Sequence, residues 1–102
     1  MNNKVYSLNE IRNILNDCLR NTAVKRVTLF GSYAKNCATS NSDIDLVIDS
    51  NGELKGFKLY SLISKIEDLF GKSVDAFEQS EITPNSSVDK EIKKTGVIIY
   101  EW

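Results

Sequence analysis

The chain has 102 residues, 41% of them apolar and 26% charged, and thirteen basic against fourteen acidic side chains leave a net charge of −1. That is one domain's worth of sequence with apolar content for a single core. It is too apolar for extended disorder and lacks the basic excess with which a general nucleic-acid-binding face displaces counterions. There is no histidine, which removes Ser-His-Asp and Cys-His catalysis and imidazole metal sites. Any chemistry must rest on carboxylates, lysines, hydroxyls and metals held by oxygen.

No apolar run approaches the ~20 residues of a membrane span. The start, Met1 to Ser7, lacks the apolar stretch of an export signal. The expectation is therefore one domain over residues 1–102 in the cytoplasm, with no membrane contact. In that reducing compartment Cys18 and Cys37 are free thiols, too few for a disulfide scaffold or a zinc site.

The elements follow in chain order. Ser7-Leu8-Asn9-Glu10 fits a capping box, and Leu8, Ile11, Ile14, Leu15, Cys18 and Leu19 recur at helical spacing, which predicts a helix to about Asn21. Val24 to Phe30 reads as a strand that stops at Gly31-Ser32. A short helical turn follows through Tyr33 and Ala34, then a polar loop from Asn36 to Ser42. Asp43 to Asp49 reads as a second strand, with Ile44, Leu46 and Ile48 on one face and Asp43, Asp45, Val47 and Asp49 on the other. Asn51-Gly52 marks a turn. Phe57, Leu59, Leu62, Ile63, Ile66, Leu69 and Phe70 form a second helical stripe, closed by Gly71. Val74 to Phe77 is a third strand and Gln79 to Asn85 a loop. Ser86 to Thr95 is a short helix closed by Gly96, and Val97 to Tyr100 a last strand. The order predicts an α/β (α+β) domain, a small sheet with helices on one main face.

One constellation carries chemistry. Gly31-Ser32 ends a strand and opens a turn. A glycine there lets a phosphate approach the backbone, and the following amides with the Ser32 hydroxyl are phosphate donors. Asp43 and Asp45, two apart on a strand, project from one face, where like charges are costly unless a cation sits between them. Mg²⁺, hard and oxygen-liganded, is the natural one. Asp75, in the middle of the third strand, joins them if that strand lies beside the second. Its flanking Val74 and Ala76 suggest partial burial. Three aspartates holding two Mg²⁺ are the layout of phosphoryl or nucleotidyl transfer. A competing calcium loop at Asp49-Ser50-Asn51-Gly52 fails, because it places Val47 and Lys58 where acidic ligands are needed.

Leu29-Phe30-Gly31-Ser32-Tyr33-Ala34-Lys35-Asn36, followed by Ser42-Asp43-Ile44-Asp45-Leu46-Val47, resembles the signature of the DNA polymerase beta-like nucleotidyltransferases. Over nearly its whole length the chain is similar to their smallest branch, the minimal nucleotidyltransferases (MNT). Asp75 matches the family's third aspartate, and Gly96 to Tyr100 its close. The resemblance implies a mixed sheet flanked by helices, the nucleotidyltransferase fold, with Mg²⁺ on Asp43, Asp45 and Asp75 and a nucleoside triphosphate, ATP, as substrate. It also implies pairing with a HEPN-domain toxin, some members transferring AMP to a toxin tyrosine. The family usually has Arg-Gly where this chain has Lys35-Asn36. Lysine keeps a phosphate-binding charge without the bidentate fork, and asparagine tolerates the positive φ of the turn.

The resulting expectation is an enzyme that binds Mg·ATP on Gly31, Ser32, Lys35, Asp43 and Asp45. Asp75 serves as general base or second-metal ligand near the acceptor hydroxyl. Two rivals stand beside it: a non-catalytic module that neutralises a partner by occlusion, and a subunit of an antibiotic-modifying nucleotidyltransferase. Room is left for an oligomer. Tyr33 either stacks on a base or ribose, packs in the core, or is simply exposed. Lys90, Lys93 and Lys94 with Asp89 and Glu91 read as a solvated helix face. Trp102 either closes the core or serves an interface.

Overall fold

The computed structural model describes residues 3–102; Met1 and Asn2, where the reading for an export signal begins, lie outside them. The first helix, α1 (Leu8–Leu19), starts as its sequence dictates. Ser7 Oγ accepts from the Glu10 amide at 3.1 Å, and Glu10 returns the bond to the Ser7 amide at 2.9 Å. Its stripe of Ile11, Leu15, Cys18 and Leu19 is buried. The helix ends before the expected Asn21, because Arg20 is extended and Asn21 takes a left-handed φ of 67°. Strand β1 (Arg26–Phe30) follows, then β2 (Ile44–Asp49), α2 (Phe57–Phe70), β3 (Val74–Glu78), a 3₁₀ turn over Gln79–Glu81, α3 (Ser87–Thr95) and β4 (Val97–Glu101). Gly71 caps α2 in a left-handed conformation, its amide on the Glu67 carbonyl at 2.7 Å. Gly96 closes α3 differently. Its φ is −59°, and glycine is required for space, since a Cβ would lie 2.5 Å from the Ile92 carbonyl oxygen and 3.0 Å from Thr28 Cγ2.

The strands form one sheet in the order β3-β2-β1-β4. β1 is antiparallel to β2 and β4, while β2 and β3, joined across α2, are parallel. The sheet is thus mixed, as expected. Period two sorts its faces. Val27 and Leu29 of β1 and Ile44, Leu46 and Ile48 of β2 are wholly buried in one core with Ile11, Leu15, Leu19, Ile66 and Phe70 of the two long helices. Burying a side chain of this size contributes ~1.5–3 kcal/mol, so this face carries most of the stability. Phe30, Asp45, Val47, Asp75 and Phe77 share the opposite face. The shortest helix, α3, lies on that side, its Ile92 lining a cavity with Thr28 and Val47. The single helix-bearing face of the expectation is therefore two unequal ones. Among the described residues no helix is long and apolar enough to cross a membrane.

Tyr33 packs in the core at 3% exposure, which decides among its readings. Trp102 does not close the core. It is 76% exposed, with Lys25 Nζ 4.5 Å from its ring centroid. Cys18 is buried and Cys37 exposed, both as free thiols. The ends of β2 and β3 are tied by a buried carboxylate that the sequence reading passed over. Glu78, 1% exposed, accepts from the Ser50 amide, the Ser50 hydroxyl and the Ser80 amide.

Candidate active site

The β1–β2 connection builds the site, because antiparallel pairing returns the chain past its own turn. Gly31 sits at the end of β1 with φ +75°, a conformation that side chains rarely adopt. A Cβ on it would lie only 2.3 Å from Asp45 Oδ2. The glycine is thus required twice, by its backbone angle and by the carboxylate pressed against it. Residues 32–36 make the expected helical turn, with the Lys35 amide on the Gly31 carbonyl at 3.1 Å and the Asn36 amide on the Tyr33 carbonyl at 3.3 Å. Asn36 takes a φ of 59°, as its place in the usual Arg-Gly position requires. Ser32 is half-buried at the start of this turn.

Pairing sets the aspartates. Asp45 is in register with Phe30 on one side and with Asp75 on the other. The second and third strands are neighbours, which brings Asp75 beside Asp45 on the shared face. The Phe30 and Phe77 rings lie 6.4 Å apart on that face. Asp43 stands just before the first residue of β2, outside the strand that was expected to include it. It is exposed at a polar cavity of about 200 Å³, shared with Ser40, Ser42, Lys72 and Ser73. Burial pushes the Asp45 carboxyl up from its ordinary 3.8 to about 6, and the charges of Asp75, Asp43 and Glu91 add to the effect.

Asp75 itself is exposed, which corrects the expectation of partial burial. Val74 and Ala76 precede and follow it in sequence but point to the opposite face, so they report on that face alone. Desolvation falls on Asp45, in the interior strand, while Asp75 stands on an edge strand. Among the described residues no group of three or more acidic or thiol side chains is placed to hold a metal ion unaided. Yet the donors are all oxygen, and the charges of three carboxylates, Asp75, Asp43 and Glu91, act on Asp45 with no cation among the causes of its shift. Such a set fits a hard divalent cation that completes its shell with water and substrate phosphate, as Mg²⁺ does.

Two groups on α3 escaped the sequence reading. The Gly31 amide donates to Thr95 Oγ1 at 3.1 Å, and Thr95 Oγ1 donates to the Glu91 carbonyl at 2.8 Å. This pins the last turn of α3 to the glycine of the site. Glu91, four residues before Thr95, pairs with Lys35 Nζ at 3.5 Å. Its charge also acts on Asp45, so it is not part of a merely solvated face. Lys93 does pair with Asp89 at 3.1 Å, as that reading had it. The one signal in sequence was the i,i+4 spacing of Glu91 and Thr95 beside the Val88–Ile92 stripe.

A glycine turn against an aspartate pair at the end of a mixed sheet is the arrangement of a nucleotidyltransferase. Residues 9–99 match the model of the nucleotidyltransferase domain family, and the chain belongs to that family and is a nucleotidyltransferase. It is 36% identical over 93 residues to a Methanocaldococcus jannaschii protein named "putative protein adenylyltransferase MJ0126", covering 87% of this chain and 90% of that one. A crystal structure of a toxin–antitoxin pair with AMP-PNP superposes at a TM-score of 0.76 and 20% identity, over 89% of this chain and 73% of that one. The complex of a tri-AMPylated Shewanella oneidensis HEPN toxin with its MNT antitoxin superposes at 0.64 and 19% identity, over 93% and 70%. At these identities the structural likeness shows the fold.

Proposed function

We propose that this protein transfers AMP from Mg·ATP to an acceptor hydroxyl, a tyrosine of a cognate HEPN toxin, and so acts as the antitoxin of the pair. The observation that carries the reading is the in-register placement of Asp45 and Asp75 on adjacent strands, with Asp45 against the Gly31 turn. Asp45, Asp75 and Asp43 would hold Mg²⁺, which when bound offsets the charge of the polyphosphate and of these carboxylates. The turn opening at Ser32 receives phosphate oxygens, and Lys35 adds a positive charge at its end. The acceptor hydroxyl attacks the α-phosphorus, the bond to the β-phosphate oxygen breaks, and pyrophosphate leaves. A tyrosine hydroxyl has a pKa near 10 and must lose its proton on the way. Asp75, solvent-facing and with no histidine in the chain to replace it, is the group placed to accept it. The relatives support the acceptor class: one is named for protein adenylylation, and the Shewanella complex contains an AMPylated toxin.

The test is labelled ATP incubated with the protein and a candidate HEPN-domain partner, read as a mass shift of that partner. Asp75→Asn is expected to retain most Mg·ATP binding and to lose AMP transfer by several orders of magnitude. If the wild type neutralises the partner without labelling it, and Asp75→Asn neutralises equally well, the occlusion module stands instead.

A further inference from the structure

Lys35 is the cation that the family resemblance assigns to the phosphates, yet its ammonium rests on Glu91, 3.5 Å away, with both side chains partly open to solvent. Glu91 is held in place from below. Its own carbonyl accepts from Thr95 Oγ1, which in turn accepts from the Gly31 amide. The backbone of Glu91, in α3, is therefore tied through Thr95 to the glycine of the site, and its carboxylate reaches Lys35 in the 32–36 turn. Its place is that of an anion beside the Gly31 turn, where a polyphosphate would lie.

We infer that Glu91 is an intramolecular competitor for Lys35: it occupies the ammonium in the free protein and yields it to the polyphosphate, thereby setting nucleotide affinity. The inference rests on the reading of Lys35 as a phosphate contact. A half-exposed ion pair at this distance is weak, so it can be exchanged for a polyphosphate carrying several charges. An ammonium has three donors and no fixed plane, so it can turn from Glu91 to a phosphate oxygen without rebuilding the turn. An arginine fork would be locked more firmly by the same carboxylate. The Lys35–Glu91 pairing is thus a matched set in which a weaker phosphate ligand meets a weaker internal rival.

The test is Mg·ATP titration by calorimetry of the full chain, in wild type and four variants. Glu91→Gln is expected to bind roughly two- to fivefold tighter, the fold-change that a weak surface pair represents. Glu91→Asp keeps the charge but shortens the reach to Lys35, and is expected to show part of the gain. In Lys35→Ala affinity falls, and adding Glu91→Gln to it recovers little. An equal gain from Glu91→Gln with and without Lys35, together with no gain in Glu91→Asp, would mean plain charge repulsion and overturn the inference. Weaker binding in Glu91→Gln would overturn it too, making Glu91 a support for Lys35. An affinity unchanged in Lys35→Ala would overturn the phosphate role of Lys35 and this inference with it, while leaving the aspartate pair's role to the AMP-transfer assay.

Discussion

Asp45 is the residue at which folding and the proposed metal-binding role are opposed, and Asp45→Asn measures the opposition. In the folded protein without metal its carboxyl titrates at about 6 instead of 3.8, first because it is buried and then because Asp75, Asp43 and Glu91 surround it. Between those two values the native state keeps a proton that the unfolded chain has lost. Stability therefore falls as pH rises through this window, and the full penalty is present above about pH 6. At 1.36 kcal/mol per pH unit the full effect is about 3 kcal/mol. Solvent reaching a half-buried group screens it, so about 1–2 kcal/mol is expected. Asparagine has the same shape and no charge. Metal-free Asp45→Asn should thus be more stable than wild type at pH 8, its melting temperature higher by roughly 5–10 °C for a domain of this size. The gain should shrink as pH falls through this window and vanish below 3.8, where Asp45 is protonated in the native and the unfolded chain alike. Mg²⁺ should raise the wild-type melting temperature at pH 8 and leave the variant's nearly unmoved. Urea unfolding at about pH 3, 6 and 8 with and without Mg²⁺ reads all of this. Parallel stability profiles for the two proteins across that range would refute the strain at Asp45, and equal Mg²⁺ responses would remove Asp45 from the metal.

Three further perturbations report on other parts of the site and its frame. Gly31→Ala forces a side chain to φ +75° and displaces Asp45 Oδ2; about 1–2 kcal/mol of stability should go, with Mg²⁺-dependent ATP binding lost beyond that, as thermal melts and calorimetry would show. Lys35→Ala should weaken Mg·ATP binding by about 1–2 kcal/mol and Lys35→Arg should retain it, so equal affinities in all three proteins would return Lys35 to the solvated surface. At Glu78 burial pushes the carboxyl up, but the hydrogen bonds from Ser50 and Ser80 outweigh it and hold the group below its ordinary 4.5. Its contribution is present above that value and fades as pH falls. Glu78→Gln should therefore cost about 1–3 kcal/mol at neutral pH and progressively less toward pH 3, a trend that denaturant melts would reveal.

Much of this protein was legible in its sequence because the signals are local. The capping box at Ser7 and Glu10, the helical stripes, and the left-handed Gly71 and Asn36 each depend on a few adjacent residues. The alternation of Ile44, Leu46 and Ile48 with Asp45 and Val47 fixes which face of β2 is dry before any partner strand is known. Gly31-Ser32 with Asp43 and Asp45 is likewise a short-range pattern, and the structure brings Gly31 and Asp45 together. Tertiary structure decided what depends on pairing and packing. Which strand lies beside β2 determines that Asp75 meets Asp45, a matter of parallel register across α2. Which of the two aspartates is buried follows from strand position in the sheet, interior for Asp45 and edge for Asp75, and neighbouring apolar residues on the opposite face could not report it. The placement of α3 over the active face brings Glu91 to Lys35 and Thr95 to Gly31, contacts that span some sixty residues of chain. Local periodicity carries no record of such contacts, because they arise only when the sheet has closed and the last helix packs across its polar face.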